Sequence, residues 1–101
     1  MAAGLSIDYA QRRATVNGEQ VELTATEYAV LHEMAANAPR VLTHSALLHR
    51  VWGPERVGEP WLVRDVVKRL RRKLGDDAGS PEYIFTEPRV GYRMPAGQTE
   101  A

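Results

Sequence analysis

The stretch Pro60-Trp-Leu-Val-Arg-Asp-Val-Val-Lys-Arg-Leu-Arg-Arg-Lys-Leu-Gly75 decides how this chain is read. Val63, Val66, Val67, Leu70 and Leu74 recur at steps of three and four. At ~100° per residue they form one narrow apolar stripe, the pattern of a helix laid on a core. Pro60 suits a first helical position, where its missing N–H would be unpaired anyway. Gly75 suits the stop. On the same wheel Trp61, Asp65, Lys68 and Arg72 lie near the opposite pole. Arg64 and Arg71 flank one side of the stripe; Leu62, Arg69 and Lys73 flank the other. Residues 61–75 hold six bases (Arg64, Lys68, Arg69, Arg71, Arg72, Lys73) and one acid, Asp65. Residues 76–87 then carry Asp76, Asp77, Glu82 and Glu87 with no base. A concentrated basic stripe is a nucleic-acid footprint or, equally, a solvated helix face.

Upstream of this helix, Leu5, Ile7 and Tyr9 alternate with Ser6 and Asp8, the period of a half-buried strand. Ala14 and Val16 lead into Asn17-Gly18, and Val21 and Leu23 resume the alternation. Asn-Gly between alternating segments is a strong hairpin signal, because both turn positions take positive φ. Residues 5–23 therefore read as a small antiparallel meander. Residues 24–38 switch to helical spacing. Thr24 and Glu27 form a capping-box pattern, and Tyr28, Leu31, Met34, Ala35 and Ala38 make one apolar stripe. Pro39 ends this helix. Val41 and Leu42 suggest one short strand. Thr43 suits the N-cap of a second helix with apolar positions Ala46, Leu47, Val51 and Trp52, stopped by Gly53-Pro54. Residues 53–60 are a turn-rich loop. After the long basic helix, residues 83–87 and 90–94 read as two strands joined at Pro88-Arg89.

The order is sheet, helix, helix, helix, hairpin. Two helices with a short link, the second one basic, match the helix-turn-helix arrangement, in which the second helix enters a major groove ~12 Å wide. The final hairpin forms a wing with Arg89 at its tip. The fold class is α+β: a winged helix-turn-helix with an N-terminal antiparallel sheet, three helices and a C-terminal hairpin. One domain is expected over residues 5–95, with loose ends at 1–4 and 96–101. The 101-residue length suits a single small domain. With 44% apolar and 26% charged residues the composition is that of an ordinary soluble globular chain. No window approaches the ~18 apolar residues of a membrane span, and the N-terminus lacks the charged and apolar segments of a secretory signal. A cytoplasmic setting is expected. Cysteine is absent, which excludes disulfides and thiolate chemistry. His32, His44 and His49 share no ligand spacing, so no metal is expected. There is no nucleophile elbow and no phosphate-cradling glycine loop, and the three serines lack catalytic partners. No enzyme activity and no cofactor are expected.

These residues also carry a family resemblance. Leu23-Thr-Ala-Thr-Glu-Tyr-Ala-Val-Leu31 resembles the L-T-x-x-E-[FY]-x-x-L opening of the OmpR/PhoB-type winged helix. Val41-Leu-Thr-His-Ser-Ala-Leu-Leu-His-Arg-Val-Trp-Gly53 is similar to its second helix, Val67-Lys-Arg-Leu-Arg-Arg-Lys-Leu74 to its recognition helix, and Val90-Gly-Tyr-Arg93 to its wing. The four ordered blocks cover roughly residues 5–95. The resemblance implies an effector domain of a bacterial two-component response regulator that binds direct-repeat promoter sites as head-to-tail pairs. It implies a preceding phosphoryl-accepting receiver domain, so that these residues are an excised C-terminal domain or a stand-alone relative.

Carried over by position, the resemblance puts Arg64, Asp65, Lys68 and Arg69 on the groove-facing part of the recognition helix, with Arg72 on the same pole. It matches Arg71 and Trp52 to phosphate-backbone contacts. The family's wing often bears Arg just before Gly; here those positions are Pro88 and Arg89, which shifts the arginine by one. Trp61 stands where the family commonly has a polar or basic residue. Its indole either faces DNA, on a sugar or a thymine methyl, or packs on the loop. Trp52 also reads as a core or half-core residue. Asp65 accepts either from cytosine N4 or from Arg69 at i, i+4. Arg93 serves the wing or pairs with a nearby acid, and Tyr92 reads as a core strand residue. Glu55, Arg56 and Glu59 match the loop that often touches RNA polymerase in this family; a plain solvated loop is the other reading. The implied function is sequence-specific binding of double-stranded DNA by a transcription regulator. The alternative is a protein-interaction module whose basic face takes an acidic partner.

Overall fold

A computed structural model describes residues 4–95. Strands β1 (Leu5–Asp8), β2 (Arg13–Val16) and β3 (Glu19–Val21) form an antiparallel meander in that order. Leu5 pairs with Val16 and Ile7 with Ala14, so Leu5, Ile7 and Ala14 are buried together on one face. The turn before β3 has φ 53° at Asn17 and 85° at Gly18, the positive pair that the Asn-Gly reading requires. The N-terminal segment expected to be loose is already held at Gly4, whose carbonyl accepts the Asn17 N–H at 2.8 Å. Residues 1–3 and the expected tail at 96–101 lie outside the described residues.

Helix α1 (Ala25–Ala36) opens with a complete capping box. The Glu27 N–H donates to Thr24 Oγ1 at 3.1 Å and the Thr24 N–H donates to Glu27 Oε1 at 2.9 Å. Tyr28, Val30, Leu31, Met34 and Ala35 are buried. The helix expected to reach residue 38 stops at Ala36. Pro39 disfavours helical geometry at Ala38, and the Asn37 side chain donates to the Glu33 carbonyl at 2.8 Å, closing the last turn.

Strand β4 is Leu42–Thr43, one residue later than expected, with Val41 left exposed. Thr43 then caps α2 (His44–Val51), its Oγ1 accepting from the Ala46 N–H at 2.9 Å. Leu47 and Leu48 are the buried residues of α2, and Trp52 is its half-buried C-cap. The Glu33–Arg50 ion pair at 3.2 Å ties α1 to α2. The loop expected over 53–60 contains one short 3-10 turn, Pro54–Arg56.

Helix α3 runs Trp61–Leu74, with Pro60 as N-cap rather than first helical residue. Val63, Val66, Val67, Leu70 and Leu74 are all buried, as their spacing predicts. Gly75 takes φ 74°, and the Asp76 N–H returns to the Arg71 carbonyl at 2.8 Å, a left-handed C-terminal stop.

The wing strands are β5 (Phe85–Glu87) and β6 (Gly91–Arg93), both shorter than expected. Tyr83 and Ile84 are buried but do not pair as strand. Their N–H groups, with that of Glu82, are taken by the Asp76 carboxylate at 3.2, 2.9 and 2.7 Å. The sheet order is β4-β6-β5, with Leu42 opposite Tyr92 and Thr43 opposite Gly91. A Cβ at Gly91 would collide with the Leu42 carbonyl, so glycine lets the helical region approach the wing this closely. Ile7, Leu31, Met34, Leu42, Leu47, Leu70, Ile84, Tyr92 and Met94 belong to one core shared by all three helices and both sheets.

Candidate nucleic-acid interface

Helix α3 presents three differently employed faces. Its apolar stripe fixes its roll on the core. Its outward pole carries Trp61, Asp65, Lys68 and Arg72, with Arg64 on the adjoining flank; all five are exposed. Among the described residues, Arg64, Lys68 and Arg72 have no ion-pair partner. These are the long cations that helix geometry leaves pointing away from the core.

The flank toward α1 is organised by Glu27, a carboxylate only 1% exposed. Lys73 Nζ donates to its Oε1 at 2.7 Å, and Arg69 Nε lies 3.2 Å from its Oε2. The Arg69 contact is close enough for an ion pair but is not aligned as a hydrogen bond. Burial alone would raise the Glu27 pKa. The Lys73 hydrogen bond, the Thr24 N–H and the charges of Lys73 and Arg69 outweigh it and hold the carboxyl below its ordinary value. Arg69 Nη1 also meets Asp65 Oδ2 at 3.0 Å. Of the two readings open for Asp65, the i, i+4 pair with Arg69 is formed. Arg69, expected to face the groove, has two of its three guanidinium nitrogens against carboxylates of the fold while its side chain stays 41% exposed. Trp52 borders the same flank, in a groove with Leu62, Asp65 and Arg69.

The opposite flank is pinned to the wing. Arg71 Nη2 donates to the Ile84 carbonyl at 2.9 Å and to Thr86 Oγ1 at 2.8 Å, and its guanidinium stands over the Tyr92 ring at 5.9 Å. Arg71, matched by resemblance to a phosphate contact, is thus half-buried and bridges α3 to β5. Tyr92 is buried, as its strand position suggests. His44, the first residue of α2, packs edge-on against Tyr92 at 5.4 Å. Burial and then the nearby Arg64 lower the His44 pKa, against the pull of its hydrogen bond to the Val90 carbonyl. These effects favour the neutral form of His44.

In the wing, Arg93 Nε meets Glu87 Oε2 at 2.9 Å and its guanidinium covers the Phe85 ring at 4.7 Å. The reading of Arg93 as an acid partner is the one realised. Arg89 is exposed at the tip with φ 67°, and the Val90 N–H closes the turn onto the Glu87 carbonyl at 2.9 Å. Proline followed by a positive-φ residue is the type II pattern, whose third position favours glycine. In the loop, Glu55 and Arg56 are exposed and Arg56 pairs with Glu59 at 3.1 Å. No group of three or more possible metal ligands occurs among the described residues.

Residues 18–94 match the family described as "Transcriptional regulatory protein, C terminal". The chain belongs to this family. It is an OmpR/PhoB-type winged helix, and its relatives agree in fold and in kind. The transcriptional regulatory protein KdpE of Mycobacterium tuberculosis is 36% identical over 91 residues, which is 90% of this chain and 40% of KdpE. The DNA-binding domain of RstA from Klebsiella pneumoniae, solved in complex with the RstA box, superposes with a TM-score of 0.84 at 32% identity, covering 94% of each chain. The response regulator DrrB of Thermotoga maritima, an OmpR/PhoB homologue, gives 0.83 at 33% identity, covering 93% of this chain and 42% of DrrB.

Sequence reasoning located the outward pole of α3 and the wing. It missed Glu27 as the organiser of one flank and Thr86 as an anchor on the other. A signal for Glu27 was present: Arg69 and Lys73 lie four apart on one flank, and that flank needed an anion.

Proposed function

We propose that this domain reads double-stranded DNA by sequence, with α3 in the major groove and the β5–β6 wing near the adjacent minor groove. The observation that carries the reading is the division of labour on α3. Arg69, Arg71 and Lys73 are held by the fold, whereas among the described residues Arg64 on the flank and Lys68 and Arg72 on the outward pole are exposed and have no ion-pair partner. A rigidly seated helix with free cations outward suits groove reading, where arginine pairs bidentately with guanine and lysine neutralises phosphate. Exposed Arg89 at the wing tip is the minor-groove candidate. The RstA domain, bound to its box in its own crystal structure, supports the same docking here.

The chain spans 40% of the length of KdpE. We place it as the output half of a cytoplasmic response regulator, controlled by a phosphoryl-accepting receiver domain and pairing head-to-tail on repeated half-sites. Glu55, Arg56 and Glu59 sit on a loop away from the core, available to RNA polymerase. The reading assigns no catalytic step. Among the described residues, no helix is long and apolar enough to cross a membrane.

Selection from random double-stranded DNA at near-physiological salt tests the proposal. Enrichment of a short motif is expected, strongest as two tandem copies. A folded domain that enriches nothing and binds all DNA alike, with steep salt dependence, would overturn it and favour a protein-binding basic face.

A further inference from the structure

Trp61 is the one uncharged residue on the outward pole of α3. The residue is 57% exposed, whereas the other large exposed hydrophobics of the described residues are the valines Val41, Val57 and Val90. Single exposed apolar side chains are common and mean little by themselves. Position gives this one a meaning. Trp61 is the first residue of α3, the end that meets base edges in helix-turn-helix docking. Asp65, Lys68 and Arg72 follow at four, seven and eleven residues, so the indole lies in line with the free cations. Buried Val63, Val66, Val67 and Leu70 fix the roll of the helix and prevent it from turning Trp61 inward. Among the described residues, no aromatic ring or guanidinium stacks on Trp61, which leaves most of its surface open to a ligand.

We infer that Trp61 is a specificity-determining residue that selects thymine through its C5-methyl group. This deepens the DNA-reading function and rests on it. The chemistry is selective. Indole offers a broad apolar face and one N–H donor, with no acceptor. In the major groove only thymine presents an apolar group. Cytosine presents an N4 donor that indole cannot accept. A purine N7 would take the N–H but would leave the apolar face against polar edges. Burying one methyl group corresponds to an affinity change of about fourfold.

The test uses the intact domain and the site it enriches from random DNA. Each thymine of that site is replaced in turn by uracil, which removes only the methyl group. Affinities are measured for wild type, Trp61→Ala and Trp61→Phe. One replacement is expected to weaken wild type about three- to fivefold and to leave Trp61→Ala unchanged within twofold, with Trp61→Phe between them. The exposed position keeps Trp61→Ala folded, and its thermal transition checks this. If no replacement weakens wild type, or if Trp61→Ala is equally sensitive, the thymine assignment is wrong and the DNA-reading function stands. If wild type enriches no site at all, both fall together.

Discussion

Glu27 couples two tasks in one side chain. It completes the capping box of α1, and it holds the Arg69 and Lys73 flank of α3. Glu27→Gln keeps the capping geometry, because Gln serves at that position, but removes the charge. Breaking a fully buried ion pair costs ~3–5 kcal/mol. Here the two cations remain 41% and 35% exposed and regain water, so a loss of about 1–2 kcal/mol in chemical denaturation is expected. The pH dependence has a definite sign. The folded carboxyl titrates below its ordinary value of 4.5, so the stabilisation is complete above that value and fades as pH falls through the lower, folded value. The stability gap between wild type and Glu27→Gln is expected to close under acid. A gap that widened there would contradict the assignment. Arg89 poses the reverse case, a residue kept in a conformation that suits glycine. Left-handed geometry costs a non-glycine residue ~1–2 kcal/mol, and glycine's greater freedom in the unfolded chain returns part of that. Arg89→Gly should therefore gain about 0.5–1 kcal/mol of stability while binding DNA more weakly. Unchanged DNA affinity would remove Arg89 from the interface. At this scale the caps and the Asn17-Gly18 turn were legible, because their partners lie within a few residues. The Glu27–Lys73 contact spans 46 residues, and local pattern does not show it.

Helix α3 was the most legible element, since one period sets both its buried and its exposed face. Its flanks were not, because their partners come from α1 and the wing. That distinction separates the cations by role. Among the described residues Lys68 has no ion-pair partner, so Lys68→Ala should weaken binding to all sequences alike and lower the salt slope of log K by ~1, at unchanged thermal stability. A slope equal to wild type would place Lys68 away from phosphate. The wing is the element that the sequence described least well. A two-residue strand such as β4 has too few positions to show a period, so its union with β6 becomes visible only in the fold. The strand expected at 83 begins at Phe85 because Asp76, a residue of the acidic run, takes three successive backbone N–H groups.

At the scale of the molecule, thirteen bases against thirteen acids give a formal charge of zero. Long-range attraction to DNA is therefore weak and affinity rests on the local field of α3; the proposed head-to-tail pairing on adjacent half-sites would raise it without new base contacts. The fold makes this local field usable: the α1 and wing contacts hold α3 from both sides and leave Arg64, Lys68 and Arg72 outward. On the proposed reading the exposed Arg64 reads a base, while the fold-held Arg69, Arg71 and Lys73 seat the helix. The most direct measurement repeats the random-DNA selection with Arg64→Ala beside wild type. The account predicts that the variant folds with the same thermal transition, relaxes its preference at one base position, and loses ~1–3 kcal/mol on the wild-type motif. Recovery of the same motif at the same affinity would contradict it.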